Sequence, residues 1–571
     1  MADNSNQFEE DLFLETLVEK DERKLALVLQ RISQCRKDII LWAFEKGVHM
    51  TTKTMKILKE IGADINAKNT FGNTALILAT LENKIDIVRR LLNIGAEVDA
   101  CNSLENTALV LAAKNNHSEC ISLLIEHGAD VNRKYSNRKP CALFLDEHNI
   151  TFPLMLVVKH NNLESTRLLL ANGAAVNAKD NLGKTALMIA AELNHVECMR
   201  VLIDYSACVN EKDKYGTTAF MIDVAHGHTE TAKVLIEYNA DLEATDAEGR
   251  TALMFAATDD LVECLEVIID QGANVDTKDN SGKTALVYAA ERNQVKNIRR
   301  LLDHGADVNV VVDCGMTAIM FAADGNHYES INELGKHGAD INAKDDDGKT
   351  ALMFAAQNNH VESINALMHQ SAKIDAKDNS GNTALMLAAQ NDKVKSIHVL
   401  IARGADVNAR NGDDDAALIF AADQGFEECV YTLVDSGADI NATNDYNQTP
   451  ITCLPDSSSG YKIYAMLTIM GAKDVNYEHL MSLKYTVGDD KKNRTKAKLN
   501  ELKTKHMFGL KYQARQCLYQ TCLKNKRVYR NAIESLMKDG TLPGNPTFER
   551  FVMFKMSSDI SEIETIITDT F

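Results

Sequence analysis

Residues 180–203 read DNLGKTALMIAAELNHVECMRVLI, and the design returns at 279–309 as DNSGKTALVYAAERNQVKNIRRLLDHGADVN and at 345–368 as DDDGKTALMFAAQNNHVESINALM. Each stretch opens on a turn: Asp180 can hydrogen-bond its own backbone, and Gly183 tolerates positive φ. Thr185 suits a helix N-cap, where its hydroxyl accepts from an orphan N–H. Of the threonines in this phase, only Thr449 is followed by a proline, Pro450, at the expected first helical position. Leu187, Ala190 and Ala191 make a short apolar face, and the paired alanines admit the next helix closely. A second helix turns Val201, Leu202 and Ile203 inward. A glycine just beyond it, as at Gly95, Gly128 and Gly173, marks a left-handed stop. Two short helices and a turn cannot bury their apolar faces alone, so neighbouring units must stack.

The threonine recurs at Thr74, Thr107, Thr185, Thr218, Thr251, Thr284, Thr317, Thr350 and Thr383. Every step is 33 residues except one of 78, which is two periods and 12 residues more. Phe152, in FPLMLVVKHNN, fills the skipped phase behind an insertion at about 134–151, and Ala416 and Thr449 continue the series. A degenerate unit precedes these twelve phases, with LWAFEKG from Leu41 and ILKEIGADIN reaching Asn66. The fold class is therefore all-α, a solenoid of about 12–13 helix-turn-helix units spanning 41–475. It follows an acidic helical cap at 1–40 and precedes a basic linker at 476–506 and a small helical tail at 507–571.

Composition sets the outer bounds. A chain of 571 residues is too long for one compact core, but a stack grows without enlarging any single core. Six prolines and one tryptophan fit regular structure with few irregular loops. The start, MADNSNQFEEDL, has neither the basic nor the apolar region of a secretory signal, and no stretch has the length of a membrane span. The twelve cysteines are scattered, several at equivalent places in successive units, which suits reduced thiols in the cytoplasm, and also in the nucleus. Net charge is −19, yet Lys491 to Arg530 holds 13 lysines and arginines against the single acid Glu501. The acidic stack repels nucleic acid and membrane surfaces, while the basic segment reads as a solvated linker, an import signal or a contact for acidic partners.

The units at 180–203, 279–309 and 345–368 resemble ankyrin repeats, and the resemblance covers about 41–475. It implies a curved, right-handed stack whose turn tips and first-helix ends line a concave protein-binding surface. It also implies that Asn177 and Asn408, each with a leucine eight residues earlier (Leu169, Leu400), are similar to acceptors of asparaginyl hydroxylation. The plain reading makes them turn residues. His117-x-Glu119-Cys120 and His195-x-Glu197-Cys198 look like metal ligands, but they open the second helix in equivalent units, where the family commonly carries a histidine and an acid. Met254, Met353 and Met386 recur in phase as packing residues. With no phosphate loop, nucleophile elbow or HExxH pair, no enzyme, cofactor or metal site is expected.

Beyond Val475 the period stops. In residues 509–554, Leu510, Ala514, Cys517 and Leu518 share one helical face, and Val528, Ala532, Ile533 and Leu536 suggest a second helix. This tail resembles a SOCS box, and repeats followed by such a tail resemble the ankyrin-repeat and SOCS-box family. Leu510-x-x-x-Ala514-Arg515 is similar to the elongin-binding Leu-x-x-x-Cys-Arg, with alanine for cysteine, and Leu518 fits the next apolar position. Leu542-Pro543, Phe548 and Phe551 match the cullin-contacting part, with Asn545 in place of its second proline. The resemblance implies elongin B, elongin C and a cullin as partners, and a target-recognition subunit of a ubiquitin ligase. The alternative is an ankyrin scaffold or inhibitory adaptor whose tail only caps the last repeat.

Two further expectations concern particular residues. Asp223 stands where other units place the first alanine of the pair, which implies a weak repeat unless a neighbouring Lys or His pairs with it. The residue before each turn glycine points from a finger tip: Phe71, Leu104, Leu182 and Tyr215, then Glu248, Ser281, Cys314, Asp347, Ser380 and Asp413. The first four are apolar or aromatic, so the target is expected on the first half, roughly 70–220, with Arg138, Lys139 and Phe144 of the insertion adding to it.

Overall fold

The computed structural model describes residues 37–47, 50–60, 62–136 and 150–455, with isolated positions up to 472. Among the described residues there are 24 helices, arranged as twelve helix pairs, in two compact units that divide after Asn280. The first unit holds seven pairs: α1 (Ile39–Glu45) and α2 (Thr52–Glu60), α3 (Ala75–Leu81) and α4 (Ile85–Asn93), α5 (Ala108–Lys114) and α6 (Ser118–Glu126), α7 (Pro153–Lys159) and α8 (Leu163–Ala171), α9 (Ala186–Glu192) and α10 (Val196–Asp204), α11 (Ala219–Ala225) and α12 (Thr229–Glu237), α13 (Ala252–Thr258) and α14 (Val262–Asp270). The second unit holds five: α15 (Ala285–Glu291) and α16 (Val295–Asp303), α17 (Ala318–Asp324) and α18 (Tyr328–Lys336), α19 (Ala351–Gln357) and α20 (Val361–His369), α21 (Ala384–Gln390) and α22 (Val394–Ala402), α23 (Ala417–Asp423) and α24 (Glu427–Asp435).

The repeat at 180–207 shows how one period folds. Asp180 Oδ1 accepts the N–H groups of Leu182 (2.9 Å) and Lys184 (2.8 Å), closing the finger turn. Thr185 caps α9 by accepting from the Met188 N–H. Asn194, at φ 57°, turns the chain into α10. Inside each unit, first helices pack on first helices and second on second, as α9 on α11 and α10 on α12. Ala190 and Ala191 are fully buried at that seam, so neighbouring backbones come close.

Three details differ from what the sequence suggests. Cys198, Val201 and Leu202 are buried while Ile203 is only half-buried, because the buried stripe of α10 follows i, i+3, i+4 spacing. The proline at a first helical position is Pro153, behind Phe152, whereas Thr449-Pro450 forms a turn with no helix. The threonine caps are unequal: Thr74, Thr107, Thr218 and Thr383 accept as Thr185 does, while the buried hydroxyls of Thr284 and Thr317 find no partner.

The insertion is pinned at its base. Strands β1 (Tyr135–Ser136) and β2 (Ile150–Thr151) pair antiparallel, Tyr135 opposite Thr151 and Ser136 opposite Ile150. Residues 1–36, 48, 49, 61, 137–149 and the tail lie outside the described residues, and with them the cap up to residue 36, the linker, Arg138, Lys139, Phe144 and every tail position named above, whereas the last residues of the expected cap, Ile39 and Ile40, open α1.

Candidate protein-binding surface

Each finger tip divides the work between backbone and side chain. The Phe71 N–H donates to Asn69 Oδ1 (3.0 Å) and its carbonyl accepts the Ser103 N–H of the next finger (3.1 Å). The Tyr215 N–H likewise donates to Asp213 Oδ1 (2.9 Å), and its carbonyl accepts the Ala247 N–H (2.8 Å). The same stitch joins Leu182 to Lys214 in the first unit and Asp347 to Asn379 in the second, both at 2.9 Å. With the backbone committed on both sides, the exposed side chains of Phe71 and Tyr215 can serve a partner.

Phe71 is 72% exposed, Tyr215 59% and Leu104 40%, whereas Leu182 is half-buried and offers less. In the second unit the tips Ser281, Cys314, Asp347, Ser380 and Asp413 are exposed and mostly polar. Tyr446 breaks that contrast. It stands at the same phase in the last finger, Asn444 to Asn447, and is 68% exposed, one finger beyond the tips named from the sequence. Continuing the 33-residue count past Asp413 would have found it.

The motifs that looked like metal ligands are inter-repeat ties. His117 Nδ1 donates to the Thr80 carbonyl and His195 Nδ1 to the Val158 carbonyl, both at 2.9 Å. The Cys120 thiol donates to Asn83 Oδ1 and the Cys198 thiol to Asn161 Oδ1, each at 3.4 Å. In the second unit Ser330 does the same to Asn293 Oδ1 at 2.7 Å. Burial pushes the Cys120 thiol up to about 11, helped by the Glu119 carboxylate, so it is no nucleophile at neutral pH. Asn177 and Asn408 also hold the stack. The Asn177 Oδ1 accepts the Cys208 N–H (2.8 Å) and the Asn408 Oδ1 accepts the Asp439 N–H (2.7 Å). Their amide nitrogens reach the Ser206 and Gly437 carbonyls.

Two acids sit where apolar residues are the rule. Asp223 is fully buried, accepts from the Thr231 hydroxyl through Oδ1, and leaves Oδ2 unpartnered. His228 Nδ1 lies 3.8 Å away but already donates to the Ala191 carbonyl at 3.0 Å. Glu333, in the phase of Val201 and Val234, is buried and meets Arg299 at 2.8 Å and Lys336 at 3.1 Å. The Arg299 hydrogen bond does most to hold its carboxyl at about 2.

These features define a stacked helix-turn-helix solenoid with a row of variable finger tips, which is a protein-interaction architecture. The family model for ankyrin repeats in sets of three copies matches residues 40–135, 154–246, 224–312, 308–378 and 370–444. The chain belongs to the ankyrin-repeat family. Among solved structures, the crystal structure of the human ASB11 ankyrin repeat domain is similar at 25% identity over 38% of this chain and 98% of that one, with a TM-score of 0.36. No curated protein matches. Among the described residues, no helix is long and apolar enough to cross a membrane.

Proposed function

We propose that this chain is the target-recognition subunit of an elongin–cullin–RING ubiquitin ligase, and that it grips a protein target through the finger tips of its first unit. The observation that carries the binding surface is the exposure of Phe71, Leu104 and Tyr215 in phase, with the Phe71 and Tyr215 backbones already committed to the next finger. Exposed aromatics cost solubility unless a partner covers them, and Tyr and Phe are frequent interface anchors. Arg138, Lys139 and Phe144 of the insertion extend that surface, and Leu182 contributes its exposed margin. The ligase role rests on the tail: Leu510, Ala514, Arg515, Cys517 and Leu518 fit an elongin-binding helix, and Leu542, Pro543, Phe548 and Phe551 fit a cullin contact. Catalysis is then proximity, with the repeats holding the target while bound partners supply the chemistry.

The test compares the full chain with one ending at residue 506 in a pull-down from cells. Elongins B and C recovered only with the full chain support the ligase; their absence from both leaves a scaffold or inhibitory adaptor. Proteins that co-purify with both forms are then measured against Phe71→Ser combined with Tyr215→Ser, which is expected to cost about 2–4 kcal/mol of affinity with folding unchanged. Normal binding by that double variant, with loss on changing Asp347 and Asp413, puts the surface in the second unit instead.

A further inference from the structure

The slot that Asp223 occupies holds alanine, fully buried, in the repeats of Ala190 and Ala256. A carboxylate there needs donors for both oxygens. Thr231 supplies one, and its hydroxyl also lies 3.2 Å from Asn194 Oδ1. Oδ2 has none. We propose that Asp223 makes the α11–α12 repeat a pH-sensitive joint, closed while the carboxyl is neutral and opened locally when the carboxyl ionises into water.

The surroundings support the neutral form. From α12 come Thr231 and, at its N-cap, His228, the latter stacked on His226 at 5.7 Å between ring centres. His226 Nδ1 is held by the Ile222 carbonyl at 2.8 Å. From α14 comes Cys264, paired with the Thr229 hydroxyl at 3.3 Å, and burial raises that thiol, so it stays uncharged. Helices α9 and α13 pack on α11 and present Ala190, Ala191, Ala256 and Ala257 at buried positions. The acid of α9, Glu192, is committed to Lys184 at 2.7 Å. Among the described residues no lysine or arginine therefore partners Asp223. Burial pushes its carboxyl from an ordinary 3.8 up to about 8, only partly countered by Thr231.

The sign follows from proton counting. The closed repeat keeps the proton and the opened one, with its carboxyl in water, releases it, so opening becomes easier as pH rises from about 4 to about 8. Below that window the residue costs nothing in charge; above it the effect is complete. At the limit of one proton, the opening equilibrium grows about tenfold per pH unit. The inference stands whether or not the finger tips bind a target.

Hydrogen exchange of the full chain tests it. Protection of the amides at 219–237, corrected for intrinsic exchange, is compared at pH 6 and pH 8 with that of the preceding repeat, 186–204. Wild type should lose up to about 100-fold in protection at 219–237, well beyond any loss at 186–204. Asp223→Asn and Asp223→Ala, the latter restoring the residue of the other repeats, should abolish that excess. The idea fails if wild-type protection at 219–237 changes no more than at 186–204, or if both variants keep the pH-dependent loss. Should Asp223→Asn not fold, Asp223→Ala decides alone.

Discussion

Glu333 gives the most quantitative handle on the second unit. Its carboxylate is buried against α16 and is held by two cations, Arg299 from the preceding repeat and Lys336 one turn ahead. Substituting Glu333→Gln keeps the shape but places an amide N–H₂ where two donors already point. The carboxyl, ordinarily 4.5, sits at about 2, so the ceiling on its contribution at neutral pH is about 3 kcal/mol. Both cations are more than half exposed, so solvent screens the pair and the expected loss is about 1–2 kcal/mol. A depressed carboxyl contributes stability that is fully present above its open-chain value and is lost as pH falls through the folded one. The difference between wild type and Glu333→Gln should therefore hold above pH 4.5 and vanish towards pH 2. Urea titration across that range, with exchange at 328–336 as the local readout, measures it. A variant as stable as wild type at pH 7, or a difference that grows on acidification, would refute the reasoning.

Two other outcomes are specific. A Cβ at Gly183 (φ 80°) would lie 2.9 Å from the Lys214 backbone nitrogen, whereas one at Gly173 (φ 83°) meets nothing within 4 Å. In urea titrations Gly183→Ala should therefore cost about 2–4 kcal/mol and Gly173→Ala only about 1; equal costs would show that the finger contact is soft. Under the ligase reading, Leu510→Asp places a charge in an apolar contact and should abolish elongin recovery while circular dichroism stays unchanged; undiminished recovery would remove the proposed role of that leucine.

Translational symmetry explains what could be read in advance. Because each unit meets a copy of itself, a residue's environment is set by its phase, so Thr185, Gly183, Ala190 and the skipped phase at Phe152 could be placed by counting. Counting also flagged Asp223 as anomalous, but not that Thr231, in the phase of Cys198 and Cys264, would supply half of what the acid needs. What stayed hidden are bonds that leave the unit. His195 and Cys198 look local in sequence, yet both reach back 37 residues, to Val158 and to Asn161 at φ 55°. Lys179 reaches forward 33 residues to the Lys212 carbonyl at 2.8 Å, and Lys344 to that of Lys377 at 2.6 Å. Glu333 belongs to the same class, since its partner Arg299 sits one period and one residue earlier. Such ties occupy the turn asparagines, the histidines and the finger lysines, and they take up the polar chemistry that a motif search would assign to a site. At tips such as Phe71 and Tyr215 the backbone is bonded into the stack while the side chain is exposed, so the residue there can differ from one repeat to the next without loosening the stack.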